Sequence, residues 1–386
     1  MDWDGDTVIY QVFIDRFAGF ESREGWDKPE FLGGDLKGVC NRLDYLEDLG
    51  VDVIWLSPFY KTSAYHGYHI TDFFSVDQRF GTEEDLENLI EEAHSRDIEV
   101  IADFVPNHLS HKHPFFLEAQ KNQSSDYHDW FYWSNWPDNY LCFLKFEELP
   151  KINLDNPDAR EHIIEAAEYW LDKGLDGYRL DHVEGPSNDF WNEFYNRLKQ
   201  EYPDKVLIGE VWMGGIQYRE LKTLLTPWKR LKWFTQQFVG APSTFHQKSY
   251  IDLMDGVLDF RARRLIDRYV KCNSQLAKKI VKKALRLHYS RFPDEFYLPV
   301  FLDNHDTNRF LYRFKNDKDK LIEALELQLS LDQPTIIYYG TEVGLSHSKG
   351  LEAFEEHGDL QARKPMVWEN QDEELLQSFK DRINQD

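Results

Sequence analysis

The stretch GYRLDHV at residues 177–183 decides the fold, because it contains a short run typical of a β-strand that ends at charged residues. The same arrangement recurs in VLIGEVW at 206–212 and in FLDNHDTNR at 301–309. One carboxylate marks the end of each run: Asp181, Glu210 and Asp306. A (β/α)8 barrel gathers its functional groups at the carboxyl ends of its strands. The pattern therefore predicts such a barrel, with three carboxylates at its rim.

Eight short runs rich in β-branched and aromatic residues occur along the chain. Stretches of helical period separate most of them, as in AREHIIEAAEYWLDKG at 159–174. Alternation of strand and helix predicts a parallel sheet, and eight repeats predict its closure into an α/β TIM barrel. The predicted strands are 7–13, 51–56, 99–105, 177–181, 206–212, 255–260, 295–303 and 334–340.

Two regions interrupt the alternation. The gap after the third predicted strand is too long for a βα loop of about two to six residues. We expect residues 108–155 to form a small inserted subdomain, with residues 1–107 and 156–386 forming the barrel. A second irregular region, 214–252, has a helical pattern that ends in the predicted loop FVGAPSTFHQ at 238–247. The chain ends in a predicted helix, so we expect no C-terminal β-sandwich domain.

Composition limits the partners that the chain can bind. The 386 residues carry a formal net charge of −24, which repels phosphate backbones, so we expect a neutral substrate and no nucleic acid. We find neither a secretion signal nor an apolar run of about 18 residues, and expect a cytoplasmic protein without a membrane partner. The three cysteines are widely spaced and odd in number, which argues against a disulfide framework.

The three carboxylates suit the cleavage of glycosidic bonds. Arg179 and Asp181 are two residues apart on a strand, so both side chains point to one face and the cation should keep Asp181 ionised. Glu210 ends the next strand, where the neighbouring negative charges should keep it protonated. A retaining glycosidase needs this pair, an ionised nucleophile and a protonated acid about 5–5.5 Å apart. Asp306 adds an anion that would stabilise a positively charged transition state.

The ordered motifs resemble those of the α-amylase family of glycoside hydrolases over essentially the whole chain. Such agreement across several motifs is more specific than one short pattern. The segments that resemble the motifs of the third, fourth, fifth and seventh strands, followed by two accessory motifs, are DFVPNH at 103–108, GYRLD at 177–181, GEVW at 209–212, DNHDTNR at 303–309, GYHITDFFSVDQRFGT at 67–82 and IIYYGTEVG at 336–344.

The resemblance implies a role for each matching residue. It makes Asp181 the nucleophile, Glu210 the acid/base and Asp306 the stabiliser of the transition state. It also implies residues that contact the sugar or the carboxylates, with Tyr68 stacking under the sugar beside the cleavage point: Tyr68, His108, Arg179 and His305. The chemistry itself would require no cofactor.

The chain departs from typical α-amylases after the nucleophile. Glu184 and Gly185 stand where many α-amylases have Lys-His, which removes a cation and an imidazole from the expected acceptor subsites. This departure argues against endo-action on long starch and leaves endo- or exo-action open. The segment DHVEGPSNDFW at 181–191 instead resembles the cyclomaltodextrinase and neopullulanase branch. His69 stands where the family often has Asp after the stacking tyrosine.

The resemblance leaves two expectations open for a structural calcium ion. Asn107 matches a position that binds calcium in amylases. In LPKIN, however, Lys151 replaces the carboxylate expected in the closing motif of the inserted segment. Either calcium still binds at Asn107, or Lys151 substitutes for its charge.

The sequence thus predicts a retaining hydrolase that cleaves α-1,4 bonds, and some α-1,6 bonds, of malto-oligosaccharides or of glucans derived from starch or glycogen. An α-glucan transferase or isomerase would use the same three carboxylates, since only the acceptor differs. A non-catalytic barrel that binds rather than cleaves is the alternative from another class, and the three intact carboxylates argue against it.

Overall fold

The computed structural model describes residues 3–212 and 242–385. Its main feature is one sheet of eight parallel strands, in which the first to the sixth strand along the chain are neighbours in order, the first pairs with the eighth, and the eighth pairs with the seventh. Each strand coincides with a predicted apolar run, so the predicted eight-stranded barrel is confirmed. The strands are β1 Val8–Val12, β2 Val53–Leu56, β3 Glu99–Phe104, β4 Gly177–Leu180, β5 Val206–Gly209, β6 Gly256–Val257, β7 Val300–Phe301 and β8 Thr335–Tyr338.

The sheet closes between β6 and the segment that leads into β7. Val257 N donates to Tyr297 O at 3.0 Å, and Tyr297 N donates to Asp255 O at 2.9 Å. Both strands are only two residues long, shorter than predicted. Pro299 offers one reason, because it has no N–H to donate to a ladder and β7 begins only at the next residue.

Helices surround the sheet, and two short antiparallel pairs accompany it. The pairs are Tyr60–Thr62 with Ile70–Val76 and Trp133–Asn135 with Asn139–Tyr140. The α-helices of the described residues are Ile14–Phe17, Leu36–Cys40, Leu43–Leu49, Glu83–His94, Pro114–Lys121, Pro157–Asp172, Asn188–Glu201, Pro242–Gln247, Phe260–Lys271, Gln275–Tyr289, Phe310–Arg313, Lys318–Leu329 and Glu373–Ile383. Short 3-10 helices lie at His128–Trp130, Lys248–Tyr250, Leu351–Ala353 and Gly358–Gln361.

The helix Glu83–His94 illustrates how the sequence sets these elements. Thr82 and Asp85 form a capping box, in which each side chain accepts a hydrogen bond from the other's backbone N–H. Such a cap stabilises a helix by about 1 kcal/mol. One face of the helix is buried: Leu86, Leu89, Ile90 and Ala93. Within the described residues, no helix has the length and hydropathy of a membrane span.

The second irregular region is only partly described. The helical pattern predicted between residue 214 and the loop lies outside the described residues. The loop predicted at 238–247 is wrong in its second half, because Pro242–Gln247 is helical. Thr244 Oγ1 lies 3.0 Å from Nδ1 of the buried His288, a contact distant in sequence that a local pattern does not reveal.

Residues 108–155 lie between β3 and the helix Pro157–Asp172. Most of the aromatic rings in this segment pack on one another, as Phe116 does on Phe131 at 4.9 Å and on Trp133 at 5.7 Å. The bounds of a separate subdomain stay a prediction, and so does the absence of a C-terminal β-sandwich.

The interior of the barrel is apolar towards the amino ends of the strands and polar towards their carboxyl ends. Alternate residues of a strand point to the same face, so each inward position is followed two residues later by another. The lower layer is apolar: Ile9, Val53, Ile101, Ile208 and Ile336. Two residues further along their strands stand polar side chains or the indole of Trp55: Gln11, Trp55, Asp103 and Glu210. The polar groups inside the barrel therefore lie at the carboxyl end of the sheet.

Candidate active site

A buried arginine lies at the centre of the polar layer. Arg179 is 1 % exposed, and its Nη1 lies 2.5 Å from Asp103 Oδ1 and 2.9 Å from Asp181 Oδ1. Its Nη2 lies 2.5 Å from Glu210 Oε1. Asp103 and Arg179 are register partners on β3 and β4, which explains their contact. One guanidinium thus holds three carboxylates together, including the predicted pair Asp181 and Glu210.

The backbone fixes Asp181 and Glu210 just beyond the ends of their strands. Asp181 N donates to Phe104 O at 2.8 Å, and Glu210 N donates to Leu180 O at 2.9 Å. The backbones of both residues therefore extend the hydrogen-bond ladder of the sheet by one residue. His182, with φ of 44°, then turns the chain away from β4. Val183 N donates to Glu210 O at 3.3 Å, which links the two strand ends again.

Tyr68 joins this group from the loop before Ile70–Val76. Its hydroxyl donates to Asp103 Oδ2 at 2.8 Å, an oxygen that also accepts a hydrogen bond from Trp55 Nε1 at 3.1 Å. The same hydroxyl lies 2.8 Å from His305 Nε2, with the two rings nearly parallel. Two of the predicted substrate-binding residues, Tyr68 and His305, are therefore in direct contact.

Asp306 lies between an imidazole and an arginine. Its Oδ2 is 3.0 Å from His305 Nε2, and its Oδ1 accepts a hydrogen bond from Arg363 Nη2 at 2.8 Å. Arg363 also donates from Nε to His305 O at 3.1 Å. Gln11 Nε2 lies 2.7 Å from the other ring nitrogen of His305. The third predicted carboxylate is thus held in place by side chains from the barrel and from the loop after β8.

The environment gives the three carboxylates different pKa values. Burial raises the pKa of Glu210 to about 8, with Arg179 opposing the rise and Asp181 and Asp306 adding to it. Burial raises the pKa of Asp181 to about 6, because desolvation outweighs the attraction of Arg179. For Asp306, burial is outweighed by His305 and Arg363, which hold the pKa of this carboxyl well below its usual range. At pH 7 Glu210 is mainly protonated and the other two are mainly ionised.

His108 is buried, and its described hydrogen bonds and ring contacts involve other residues than the three carboxylates. Its ring stacks on Phe143 at 4.5 Å, and Phe143 contacts the edge of His182 at 4.8 Å. Burial and neighbouring positive groups lower the pKa of His108 well below its usual range, so the ring is neutral. A direct contact between His108 and a sugar stays a prediction.

Glu184 lies in the segment where the sequence predicted the loss of an imidazole, but the imidazole of His246 contacts it there. Glu184 is 7 % exposed at its side chain, and its Oε1 lies 2.5 Å from His246 Nε2. His246 comes from the helix Pro242–Gln247, more than 60 residues away. Sequence motifs around Asp181 do not reveal this partner, because it depends on where that helix packs.

The residues around Asn107 do not fit a calcium ion. Calcium takes about six to eight oxygen ligands, with carboxylates among them. Asn107 Oδ1 is buried and has no hydrogen-bond partner in the described part of the chain, but the nearby Gly185 O already accepts from Lys151 Nζ at 2.8 Å. No three His, Cys, Asp or Glu side chains in the described ranges form a metal-binding group. An ammonium at this point repels a second cation.

Sequence reasoning missed several residues of the site. Asp103 was quoted only as part of a motif, although a carboxylate inside the apolar run EVIADFV is a signal in itself. Gln11 lies in the first predicted strand and carries a similar signal. Arg363 follows no periodic pattern, because the loop after β8 alone brings it to Asp306.

The chain is similar to known proteins over nearly its whole length. The sequence profile of the alpha amylase catalytic domain matches residues 11–379. Alpha-amylase 2 from Dictyoglomus thermophilum is 37 % identical over 99 % of this chain and 63 % of its own length. A cyclomaltodextrinase from Bacillus sp is 32 % identical over 95 % of this chain and 62 % of its own length. The chain therefore spans less than two thirds of these curated relatives.

A solved structure shows the same architecture. Cyclic alpha-maltosyl-(1→6)-maltose hydrolase from Arthrobacter globiformis, in complex with cyclic alpha-maltosyl-(1→6)-maltose, aligns with a TM-score of 0.81 and 27 % sequence identity. The alignment covers 98 % of this chain and 81 % of that protein.

Proposed function

Because the chain belongs to the α-amylase family, we propose that it is a retaining glycoside hydrolase acting on α-1,4 bonds, and some α-1,6 bonds, of malto-oligosaccharides and other α-glucans. One observation carries the proposal. Asp181 and Glu210 contact the same guanidinium, yet the pKa of Glu210 lies near 8 and that of Asp181 near 6. Two carboxyl groups with separated pKa values are what an acid and a nucleophile require.

In the first step, the ionised Asp181 attacks the anomeric carbon while Glu210 gives its proton to the leaving oxygen. A covalent glycosyl ester of Asp181 forms, and the shortened glucan leaves. Asp306 remains ionised, since the pKa of its carboxyl is depressed, and its charge stabilises the oxocarbenium-like transition state. Arg363 and His305 hold Asp306 for this role.

In the second step, Glu210 acts as a base. Having lost its proton, it takes one from water, and the resulting nucleophile attacks the anomeric carbon and releases Asp181. The second inversion restores the original configuration. Arg179 remains paired with Asp103 throughout, so the buried guanidinium keeps a partner while Asp181 is esterified.

The class of substrate is inferred from relatives and from the aromatic rings of the site. The Arthrobacter enzyme was solved with a cyclic maltosyl-maltose, and a Bacillus relative is named cyclomaltodextrinase, which favours short α-glucans. Tyr68 and His305 offer an aromatic surface of the kind that binds the apolar face of a sugar. A location in the cytoplasm and the absence of nucleic-acid and membrane partners stay predictions.

The proposal is tested with maltoheptaose. Purified protein should release shorter malto-oligosaccharides, and the Asp181→Asn variant should release none. Products longer than the substrate would assign the chain to the transferases instead. No turnover of maltoheptaose, of a cyclodextrin or of soluble starch would contradict an enzymatic function.

The pH dependence of kcat/KM should be bell-shaped. Activity requires an ionised Asp181, so the rate rises as the pH passes about 6. It also requires a protonated Glu210, so the rate falls as the pH passes about 8, and the optimum lies near 7. The measurement is kcat/KM for maltoheptaose, whose sugar leaving group needs a proton, between about pH 4 and pH 10. A decline that begins below about pH 6 would contradict the assignment of Glu210 as the acid.

A further inference from the structure

Lys151 lies where three segments of the chain meet. Its backbone pairs with that of His108, just after β3, and Ile152 N donates to Asn107 O at 3.0 Å. Its side chain reaches the loop after β4, where Nζ donates to Gly185 O at 2.8 Å. The residue is only 8 % exposed. One buried lysine therefore connects the end of β3, the inserted segment and the loop that follows Asp181.

The groups around this ammonium have the character of a cation site. Asn107 is fully buried, and its Oδ1 has no hydrogen-bond partner within the described ranges. That oxygen lies so close to Gly185 that a Cβ there would approach it to 2.0 Å. A cavity of about 210 Å³, lined by residues that include Lys151, Gly185 and Asp155, adjoins the junction and gives room for water. Oxygen dipoles gathered in a buried place favour a positive charge.

We propose that the ammonium of Lys151 takes the place of the calcium ion that the α-amylase resemblance implies here, and fastens the inserted segment to the barrel without a metal. The site has one positive charge and it is covalently attached. The junction therefore forms with the fold itself and does not depend on the calcium concentration. This inference is independent of the proposed reaction, because its tests measure stability and accessibility.

The hydrogen bond from Lys151 Nζ to Gly185 O restrains the loop that follows the candidate nucleophile. Gly185 is four residues after Asp181, and Val183 between them accepts hydrogen bonds at its carbonyl from Trp191 Nε1 and from the Tyr250 hydroxyl. With the loop held at both Val183 and Gly185, the chain leaves β4 along one path. Loss of the ammonium should release the Gly185 end and loosen the inserted segment.

The chain contains a reporter for this junction. Cys142 is 2 % exposed, and it lies in the inserted segment, where its backbone pairs with that of Pro150 beside Lys151. With Cys40 and Cys272 replaced by serine, the rate at which a thiol reagent labels Cys142 measures how often this segment opens.

The test compares Lys151→Met with a matched control. Methionine retains the apolar stem and removes the charge. Lys199→Met, on the helix Asn188–Glu201, is the control for the labelling rate, because Lys199 Nζ also donates to a backbone carbonyl, that of Lys205, besides its ion pair with Asp255 at 2.8 Å. We expect Lys151→Met to lower Tm by about 5 °C. Labelling of Cys142 should accelerate about tenfold or more in Lys151→Met and remain slow in the control.

Measurements in calcium and in EDTA distinguish a junction held by Lys151 from one held by a metal ion. The unaltered lysine protein should give the same Tm and the same Cys142 labelling rate in EDTA and in calcium. Lys151→Asp should label rapidly in EDTA and slowly in calcium, because the new carboxylate joins the oxygens of Asn107 and Gly185 around a bound ion.

Three results would overturn the proposal. An effect of EDTA on the protein with Lys151 intact would show that a resident metal fastens the segment. Equal labelling in Lys151→Met and Lys199→Met would remove Lys151 from that role. A Lys151→Asp variant that calcium fails to protect would mean that the junction is not a cation site.

Discussion

Asp181→Gly should lose at least about 10⁴-fold in kcat on malto-oligosaccharides, because no group is left to form the glycosyl intermediate. The fold should persist, since Arg179 keeps its anionic partner Asp103 and its contact with Glu210. The loss is measured with maltoheptaose, and circular dichroism checks the fold. Asp181→Asn is the isosteric companion, which fills the site but cannot attack.

Azide should rescue Asp181→Gly in a way that identifies the missing group. With α-maltosyl fluoride as substrate, azide occupies the space of the lost carboxylate and attacks the anomeric carbon once. A single displacement inverts the configuration, so the product should be β-maltosyl azide. Rescue with retained configuration would mean that another residue forms the intermediate.

Glu210→Ala should lose about 10²–10⁴-fold in kcat on maltoheptaose, whose leaving group requires a proton. The loss should be far smaller for the first step with α-maltosyl fluoride, because fluoride leaves without general acid catalysis. Glu210→Gln retains the volume and should behave in the same way. Pre-steady-state kinetics with the fluoride would show a burst as the glycosyl-enzyme on Asp181 accumulates.

Azide separates this variant from the previous one. In Glu210→Ala, Asp181 still forms the β-linked intermediate, and azide then displaces it, so the product should be α-maltosyl azide. The two variants should therefore give azides of opposite configuration. An equal loss in the rate of the first step on maltoheptaose and on the fluoride would indicate that Glu210 acts apart from proton transfer to the leaving group.

The barrel strands could be predicted because their signal is local. Apolar runs such as VDVIWL and VLIGE mark strands by composition and length alone, and the sheet formed where they predicted it. The ends of β6 and β7 were predicted too long, since the bonds that close the barrel involve Tyr297 and the irregular backbone before Pro299. The helix Pro242–Gln247 was missed because the contact of Thr244 with His288 is not local.

The residues of the candidate site could likewise be predicted only where their signal is local. Asp181, Glu210 and Asp306 could be located from strand ends, and Arg179 from its spacing to Asp181. The expectation that Arg179 would dominate the pKa of Asp181 was incomplete, because burial outweighs it. The degree of burial is a property of the closed barrel and cannot be derived from neighbours in sequence.

The residues that hold the carboxylates were harder to foresee. Arg363 reaches Asp306 across nearly 60 residues, and His246 reaches Glu184 across more than 60. Each belongs to a connecting segment whose path is set by packing. Motifs predicted the candidate reacting groups, whereas the side chains that contact them became visible only in three dimensions.

The central claim is that the reaction proceeds by two displacements through Asp181, and the anomeric configuration of the first product tests it most directly. Maltoheptaose should be incubated with the protein in an NMR tube and the new reducing ends observed before mutarotation. The α-anomer should appear first, with the β-anomer appearing only as equilibrium is reached. Initial formation of the β-anomer would show a single displacement and would contradict the assignment of Asp181 as a covalent nucleophile.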